Sequence, residues 1–371
     1  MLRTIISIQC IAMILATALT VVCQKTPEKT NDDVIRVDTQ LVDVPVTVTG
    51  TDGRPLRDLK KANFVIYEDG KPQSIESFAT TSAPFEVALL LDTSGSTRSD
   101  LQLIKRAATD FVMSLRPGDR VAVSAFGTNR SAGRVEAYNE ILTPLTSDRE
   151  KLRAAIDRAS TSSGTPYYDA LLDVAKRIFS EPPAEGFRGR RAVVALTDGV
   201  DSTSVAEFDE AQEALAAAGV ITYFIQVDTR EFFESGLLGD CSGATKFSVA
   251  QIRRYYRGMS SKSRTGMTTD FCQLGDFERL AVSKRLYEIA DEEMNTLART
   301  SGGKLFPAAD LTESRKAFKS VADEIGTQFT IGYSPTNEKR DGSFRKIRVE
   351  LKGLPAGAKA RYREGYTARA N

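Results

Sequence analysis

Phe85-Glu86-Val87-Ala88-Leu89-Leu90-Leu91-Asp92-Thr93-Ser94-Gly95-Ser96 joins a near-continuous apolar run to a tight cluster of oxygen-bearing side chains. A run that is apolar throughout, instead of alternating, is the pattern of a strand covered on both faces in a parallel sheet. The polar tail then falls at the carboxyl end of that strand. Gly95 lets the backbone curl there, so that Asp92, Ser94 and Ser96 converge.

Downstream, strands and helices alternate. A helix is expected over about 100–115, with Leu101, Ile104, Ala108, Phe111 and Val112 on one face. Further strands run from Arg120 to Phe126, Arg191 to Leu196 and Val220 to Val227. Helices fall at about 148–160, 168–180 and 206–218, and Gly219 stops the last. A long helix from Arg279 to Thr300 ends at Gly302-Gly303, Lys304-Leu305-Phe306 follows, and Asp310 to Ile325 forms a last helix. This order predicts an α/β fold with a doubly wound, mostly parallel, Rossmann-like sheet.

In such sheets ligands bind beyond the carboxyl ends of the strands. The strand Ala192-Val193-Val194-Ala195-Leu196 ends in Thr197-Asp198-Gly199, which brings a second carboxylate to the same edge. Between the two strands, Ser162-Ser163-Gly164-Thr165 opens a helix and offers a hydroxyl at Thr165. Carboxylates and hydroxyls without sulfur or imidazole make a hard-oxygen site suited to Mg²⁺, with Mn²⁺ or Ca²⁺ also fitting. Neutral Ser and Thr donors leave the cation under-neutralised, so that it attracts an Asp or Glu from a partner. Taken singly, Ser94, Ser96 and Thr165 suit helix caps and Asp198 suits a turn; the joint pattern is what points to a cation. Asp169 reads as a first-turn residue of its helix, and Asp201 and Asp228, though near strand ends, are not assigned to the site.

Asp92-Thr93-Ser94-Gly95-Ser96, Thr165 and Asp198 together resemble the metal-ion-dependent adhesion site (MIDAS) of von Willebrand factor A (VWA) domains, over about residues 85–310. The resemblance implies direct ligation by Ser94, Ser96 and Thr165, and contact through water by Asp92 and Asp198. It also implies that an acidic group of a protein or matrix partner completes the coordination. Val44 to Val48 and Phe64 to Gln73 before the domain, with Phe329 to Pro335 and Phe344 to Val349 after it, resemble the acidobacterial-type VWFA-related proteins, which implies export.

The flanks read as β structure. Leu41 to Thr49 is rich in β-branched residues, and Phe64-Val65-Ile66-Tyr67 runs into the hairpin signal Asp69-Gly70 before Gln73 to Phe78 returns. After the last helix, Gln328 to Ser334, Arg345 to Leu351 and Lys359 to Tyr366 are further strands. The two sets are each short and are expected to pair into one all-β domain, partly by analogy with integrins and similar A-domain proteins. The organisation expected is an N-terminal β segment at 34–82, a VWA domain at 85–326 and a C-terminal β segment at 327–368. An insertion at about 229–277 departs from a minimal A domain, and reads equally as a lid near the cation or as a decoration, packed or disordered. Within it, Arg253-Arg254-Tyr255-Tyr256-Arg257 reads as a solvated helix face, with an acidic or glycan partner the alternative.

Residues 1–23 carry Arg3, an apolar run from Ile5 to Val22 and the small residues Ala16-Thr17-Ala18, the features of an export signal. A cleaved signal peptide, an uncleaved membrane anchor and lipid modification at Cys23 all remain open. In an oxidising compartment Cys241 and Cys272 either pair, closing a loop worth on the order of 3 kcal/mol, or remain buried thiols. The chain has no His, which excludes a Ser-His-Asp triad and His-ligated metals. Lys plus Arg number 50 against 49 for Asp plus Glu, a balance that does not suggest nucleic-acid binding. With no nucleophile elbow and no phosphate-cradling loop, the reading is a binding protein and not an enzyme; a structural scaffold is the alternative, and a metal-dependent hydrolase is the remaining one.

Overall fold

The computed structural model describes residues 41–80, 84–94, 101–131, 134–181, 190–257, 268–309 and 311–368. The export segment at 1–23, the first residues of the 34–82 segment and Ser96 lie outside the described residues.

Four short strands come first: β1 (Val42–Thr49), β2 (Phe64–Glu68), β3 (Lys71–Gln73) and β4 (Ile75–Ala79). The α/β part follows as β5 (Phe85–Asp92), α1 (Leu101–Ser114), β6 (Arg120–Ser131), β7 (Arg134–Thr146), α2 (Arg149–Arg158), α3 (Tyr167–Asp173), β8 (Arg190–Thr197), α4 (Phe208–Ala217) and β9 (Val220–Val227). It continues through α5 (Arg230–Ser235), α6 (Val249–Arg257), α7 (Asp276–Ser301), β10 (Lys304–Ala308) and α8 (Leu311–Ile325). The chain closes with β11 (Phe329–Tyr333), β12 (Phe344–Leu351), β13 (Lys359–Tyr362) and β14 (Gly365–Thr367).

Every residue of β5 is buried, as its unbroken apolar sequence requires. Its side chains alternate between two cores. Val87, Leu89 and Leu91 meet α1, α2 and α8 on one face, while Ala88 and Leu90 meet α3, α4 and α7 on the other. The six-stranded sheet has the order β10-β9-β8-β5-β6-β7, parallel except for β7. The sequence reading ended the second strand at Phe126 and assigned nothing to the residues after it. In fact β6 continues to Ser131 and returns as the antiparallel edge strand β7. An edge strand is covered incompletely, and Glu140 and Pro144 are exposed while Leu142 is buried, so β7 carries no continuous apolar run.

The insertion packs instead of hanging free. Cys241 and Cys272 are joined by a disulfide with Cα atoms 5.3 Å apart. Arg279 of α7, 4% exposed, donates from Nη1 to the carbonyls of Leu237 and Gly239 and lies 4.4 Å from the Phe271 ring centre. Residues 258–267 of the insertion are outside the described part.

The flanking strands form two four-stranded sheets, β13-β1-β11-β4 and β14-β12-β2-β3. Each sheet mixes strands from before and after the α/β part: Val44 faces Ile331, and Ile66 faces Val349. Both sheets contribute to one core that includes Val44, Val46, Phe64, Ile66, Phe329, Ile331 and Ile347. The stretch expected as one strand from Lys359 to Tyr366 is two, and they join different sheets. At the break, Glu364 N–H donates to the Thr300 carbonyl at the end of α7, while its own carbonyl accepts the Ile347 N–H of β12. Gly302, at φ +84°, caps that helix; a Cβ there would lie 2.8 Å from Arg363 N, so glycine is required twice over.

A buried carboxylate ties the two flanks together. Glu68, 2% exposed, accepts from Tyr333 Oη at 2.8 Å, Tyr366 Oη at 2.8 Å and Arg345 Nη1 at 3.3 Å. Arg345 is itself only 1% exposed. Glu68→Ala is expected to cost roughly 3–5 kcal/mol, because it removes the buried partner of a buried cation. The shift of the urea unfolding midpoint measures this, and a change below about 1 kcal/mol would contradict it.

Candidate metal centre

Adjacent parallel strands deliver their last residues to the same rim. β5 ends at Asp92 and β8 at Thr197, with Leu91 beside Leu196 in the ladder. Asp92 is fully buried; its Oδ1 accepts the Ser94 N–H at 2.9 Å and its Oδ2 accepts the Thr197 hydroxyl at 2.7 Å. Asp198, 6% exposed, accepts the Val200 N–H at 3.0 Å and the Thr229 hydroxyl at 2.5 Å. Thr229 lies just beyond β9, and its hydroxyl is also hydrogen-bonded to Tyr287 Oη of α7 at 2.9 Å. Gly199 permits the turn after Asp198 with φ +74°, against the Met294 side chain.

The third loop is stitched to both of these. Ser162 N–H donates to the Thr93 carbonyl at 2.8 Å. Gly127 makes that approach possible, since a Cβ there would lie 1.6 Å from Ser162 Oγ. Thr165, 8% exposed, donates its N–H to Ser202 Oγ at 2.8 Å, and its carbonyl accepts the Ser202 N–H at 3.0 Å. Asp92, Ser94, Thr165 and Asp198 therefore stand on three mutually hydrogen-bonded loops at one sheet edge. Ser96 follows Ser94 outside the described residues.

Burial raises the pKa of Asp92. Burial, and then the charge of Asp92, push Asp198 up to about 7. Two neighbouring buried carboxylates ringed by hydroxyls disfavour their own ionisation, and a cation between them would relieve that cost. Among the described residues no group of three or more His, Cys, Asp or Glu is placed to hold a metal. A metal here must therefore draw on hydroxyls beside the two carboxylates. An all-oxygen donor set of this kind fits a hard divalent ion.

Several residues with a part in this arrangement are not assigned to the site by the sequence pattern. Thr197 and Thr229 each give a hydroxyl to one carboxylate, and their positions at the ends of β8 and β9 were the available clue. Asp201, 1% exposed, accepts the backbone N–H groups of Tyr167 at 2.9 Å and Tyr168 at 3.3 Å, opening α3. Arg254 of α6 is not on a solvated face, as the sequence suggested; its side chain is 14% exposed and pairs with Asp201 at 3.3 Å. Asp169 sits in the first turn of α3, as expected, and accepts the N–H groups of Val205 and Ala206. Behind the loops, Tyr168 Oη donates to Glu293 at 2.5 Å, and burial pushes Glu293 up to about 7.

Residues 87–200 match the model of the von Willebrand factor type A domain. No curated protein is significantly similar to the chain. Among solved structures, BatB from Bacteroides thetaiotaomicron is 20% identical, covering 65% of this chain and 97% of its own, with a TM-score of 0.38. A von Willebrand factor type A protein from Catenulispora acidiphila is 13% identical, covering 90% of this chain and 75% of its own, with a TM-score of 0.40. Proximal thread matrix protein 1 from the mussel byssus, solved with a zinc-occupied MIDAS motif, is 16% identical, covering 74% of this chain and 50% of its own, with a TM-score of 0.42.

Two outcomes are expected. Gly127→Ala forces a methyl group into Ser162 and should destabilise the fold by about 1–3 kcal/mol in denaturant unfolding, as overpacking does. Glu293 has a folded pKa raised from 4.5 to about 7, so its contribution to stability is complete below pH 4.5 and is lost as pH rises through 7. Relative to Glu293→Gln, the unaltered chain should lose roughly 1–2 kcal/mol across that window, allowing for solvent near a half-buried group. A pH-independent difference would refute that.

Proposed function

We propose that the α/β part binds one divalent cation, Mg²⁺ first and Mn²⁺ or Ca²⁺ as alternatives, through Asp92, Ser94, Ser96, Thr165 and Asp198. The cation then grips an acidic side chain of a protein or matrix partner. The observation that carries this reading is the pair of buried carboxylates, Asp92 and Asp198, on three loops sewn together at the carboxyl rim of one parallel sheet. Hydroxyl ligands contribute no charge, so a dication bound here retains an attraction for anions. An Asp or Glu from outside is the ligand that satisfies it.

The role we read is binding and not catalysis: without His, a hydrolase acting through the cation would have to use a carboxylate as its general base. It is exercised outside the cytoplasm. The disulfide between Cys241 and Cys272 supports an oxidising compartment. No described helix is long and apolar enough to cross a membrane, so the proposed export or anchoring function rests on the run from Ile5 to Val22.

The test is a pull-down from the native envelope fraction in Mg²⁺ and in chelator, repeated with Ser94→Ala/Ser96→Ala and with Asp198→Ala. A defined set of partners retained only in Mg²⁺, and lost in both variants, is expected. The same partners under all conditions would refute capture through a cation. A melting temperature that rises with Mg²⁺ while the partners stay unchanged would favour a scaffold whose ion serves the fold alone.

A further inference from the structure

Among the described residues, the insertion between β9 and α7 meets the candidate cation site at its start, where Thr229 gives its hydroxyl to Asp198, and again further along through a buried charge pair. Arg254 projects from α6 and donates from Nη1 to the Asp201 carbonyl at 3.1 Å and from Nη2 to Asp201 Oδ1 at 3.3 Å. The other carboxylate oxygen of Asp201 accepts the N–H groups of Tyr167 and Tyr168. The next residue, Ser202, holds Thr165 through both its hydroxyl and its N–H. Arg254 also lies 4.8 Å from the Tyr168 ring centre, so it meets the start of α3 from the side as well.

We propose that Arg254 is a positioning residue for the cation site: by fixing Asp201, it sets the Thr165 loop against the loops that carry Asp92 and Asp198. This rests on the cation reading above and adds to it a role for the insertion. The guanidinium suits the task because its planar fork engages a carboxylate and a carbonyl of one residue together, which an ammonium cannot do with the same geometry. The helix that carries it is itself held firmly. Ser248 and Gln251 cap its start reciprocally, at 2.9 and 3.1 Å, and Ile252 is fully buried. Phe247, just before the helix, packs on Phe233 and Phe271 at 5.6 and 5.7 Å between ring centres, beside the disulfide that brackets the segment. The insertion is thus a buttress standing behind one ligand loop.

Calorimetric titration of the purified chain with Mn²⁺, paired with a melt in chelator, tests this. Arg254→Gln should bind Mn²⁺ about tenfold more weakly, the loss usual when a group that orients a metal ligand is removed, while its chelated form still melts cooperatively. Arg254→Lys keeps the charge but not the fork and should fall between the two. Arg257→Gln, on the same helix but in an exposed pair with Glu207, should bind as the unaltered chain does. Unchanged Mn²⁺ affinity in Arg254→Gln, or an equal loss in Arg257→Gln, overturns the proposal. Should Arg254→Gln fail to fold, Arg254→Lys decides, and affinity equal to that of the unaltered chain overturns it. If the unaltered chain itself binds no Mn²⁺, the cation reading is what fails.

Discussion

Asp92 and Asp198 sit side by side because the strands that deliver them are neighbours in one parallel sheet and end in register. Burying two like charges together is unfavourable, and much of the local structure acts to offset it. Thr197 and Thr229 each turn a hydroxyl to one carboxylate, and backbone N–H groups of Ser94 and Val200 complete the rest. Those bonds in turn fix where the loops go. The Ser162 and Thr165 loop must then lie across both; Gly127 leaves room for Ser162, and Gly199 leaves room for Met294 beneath the turn after Asp198.

The long helix α7 has a comparable role one layer down. Met294 closes over the turn at Gly199, Tyr287 reaches Thr229, and Glu293 takes the Tyr168 hydroxyl. One helix therefore backs the turn after Asp198, the residue that follows β9 and the start of α3. Its far end, at Thr300 and Gly302, is where the last two strands of the chain part company. The rim of the sheet meets the middle of this helix, and the paired β sheets meet its C-terminal end.

What could be read from the sequence follows from how each element is covered. β5, β8 and β9 are buried on both faces, so their composition alone announces them. β7 is an edge strand with polar and apolar residues interspersed, and nothing local separates it from a loop. The division of residues 359–367 into β13 and β14 depends on a bond to Thr300, far away in sequence. At the site, Asp92 and Asp198 were legible because they terminate apolar runs. Arg254 was not, since a basic residue on an amphipathic helix has the same local pattern whether it faces water or a buried Asp201. The pairing of the two flanks was legible in outline from their shortness, but its division between two sheets was not.

That pairing has a consequence for the order of assembly. Glu68 and its partner Tyr333 are 265 residues apart, and the strands around them leave the ribosome at opposite ends of synthesis. β1 is made early and lacks its partner strands until β11 and β13 exist, and β2 has only β3 beside it until β12 exists, whereas the α/β part between them holds mostly neighbouring strands and can organise first. During that interval two sticky strand edges are available to other chains. Translation that stalls beyond the last helix would leave those edges uncovered.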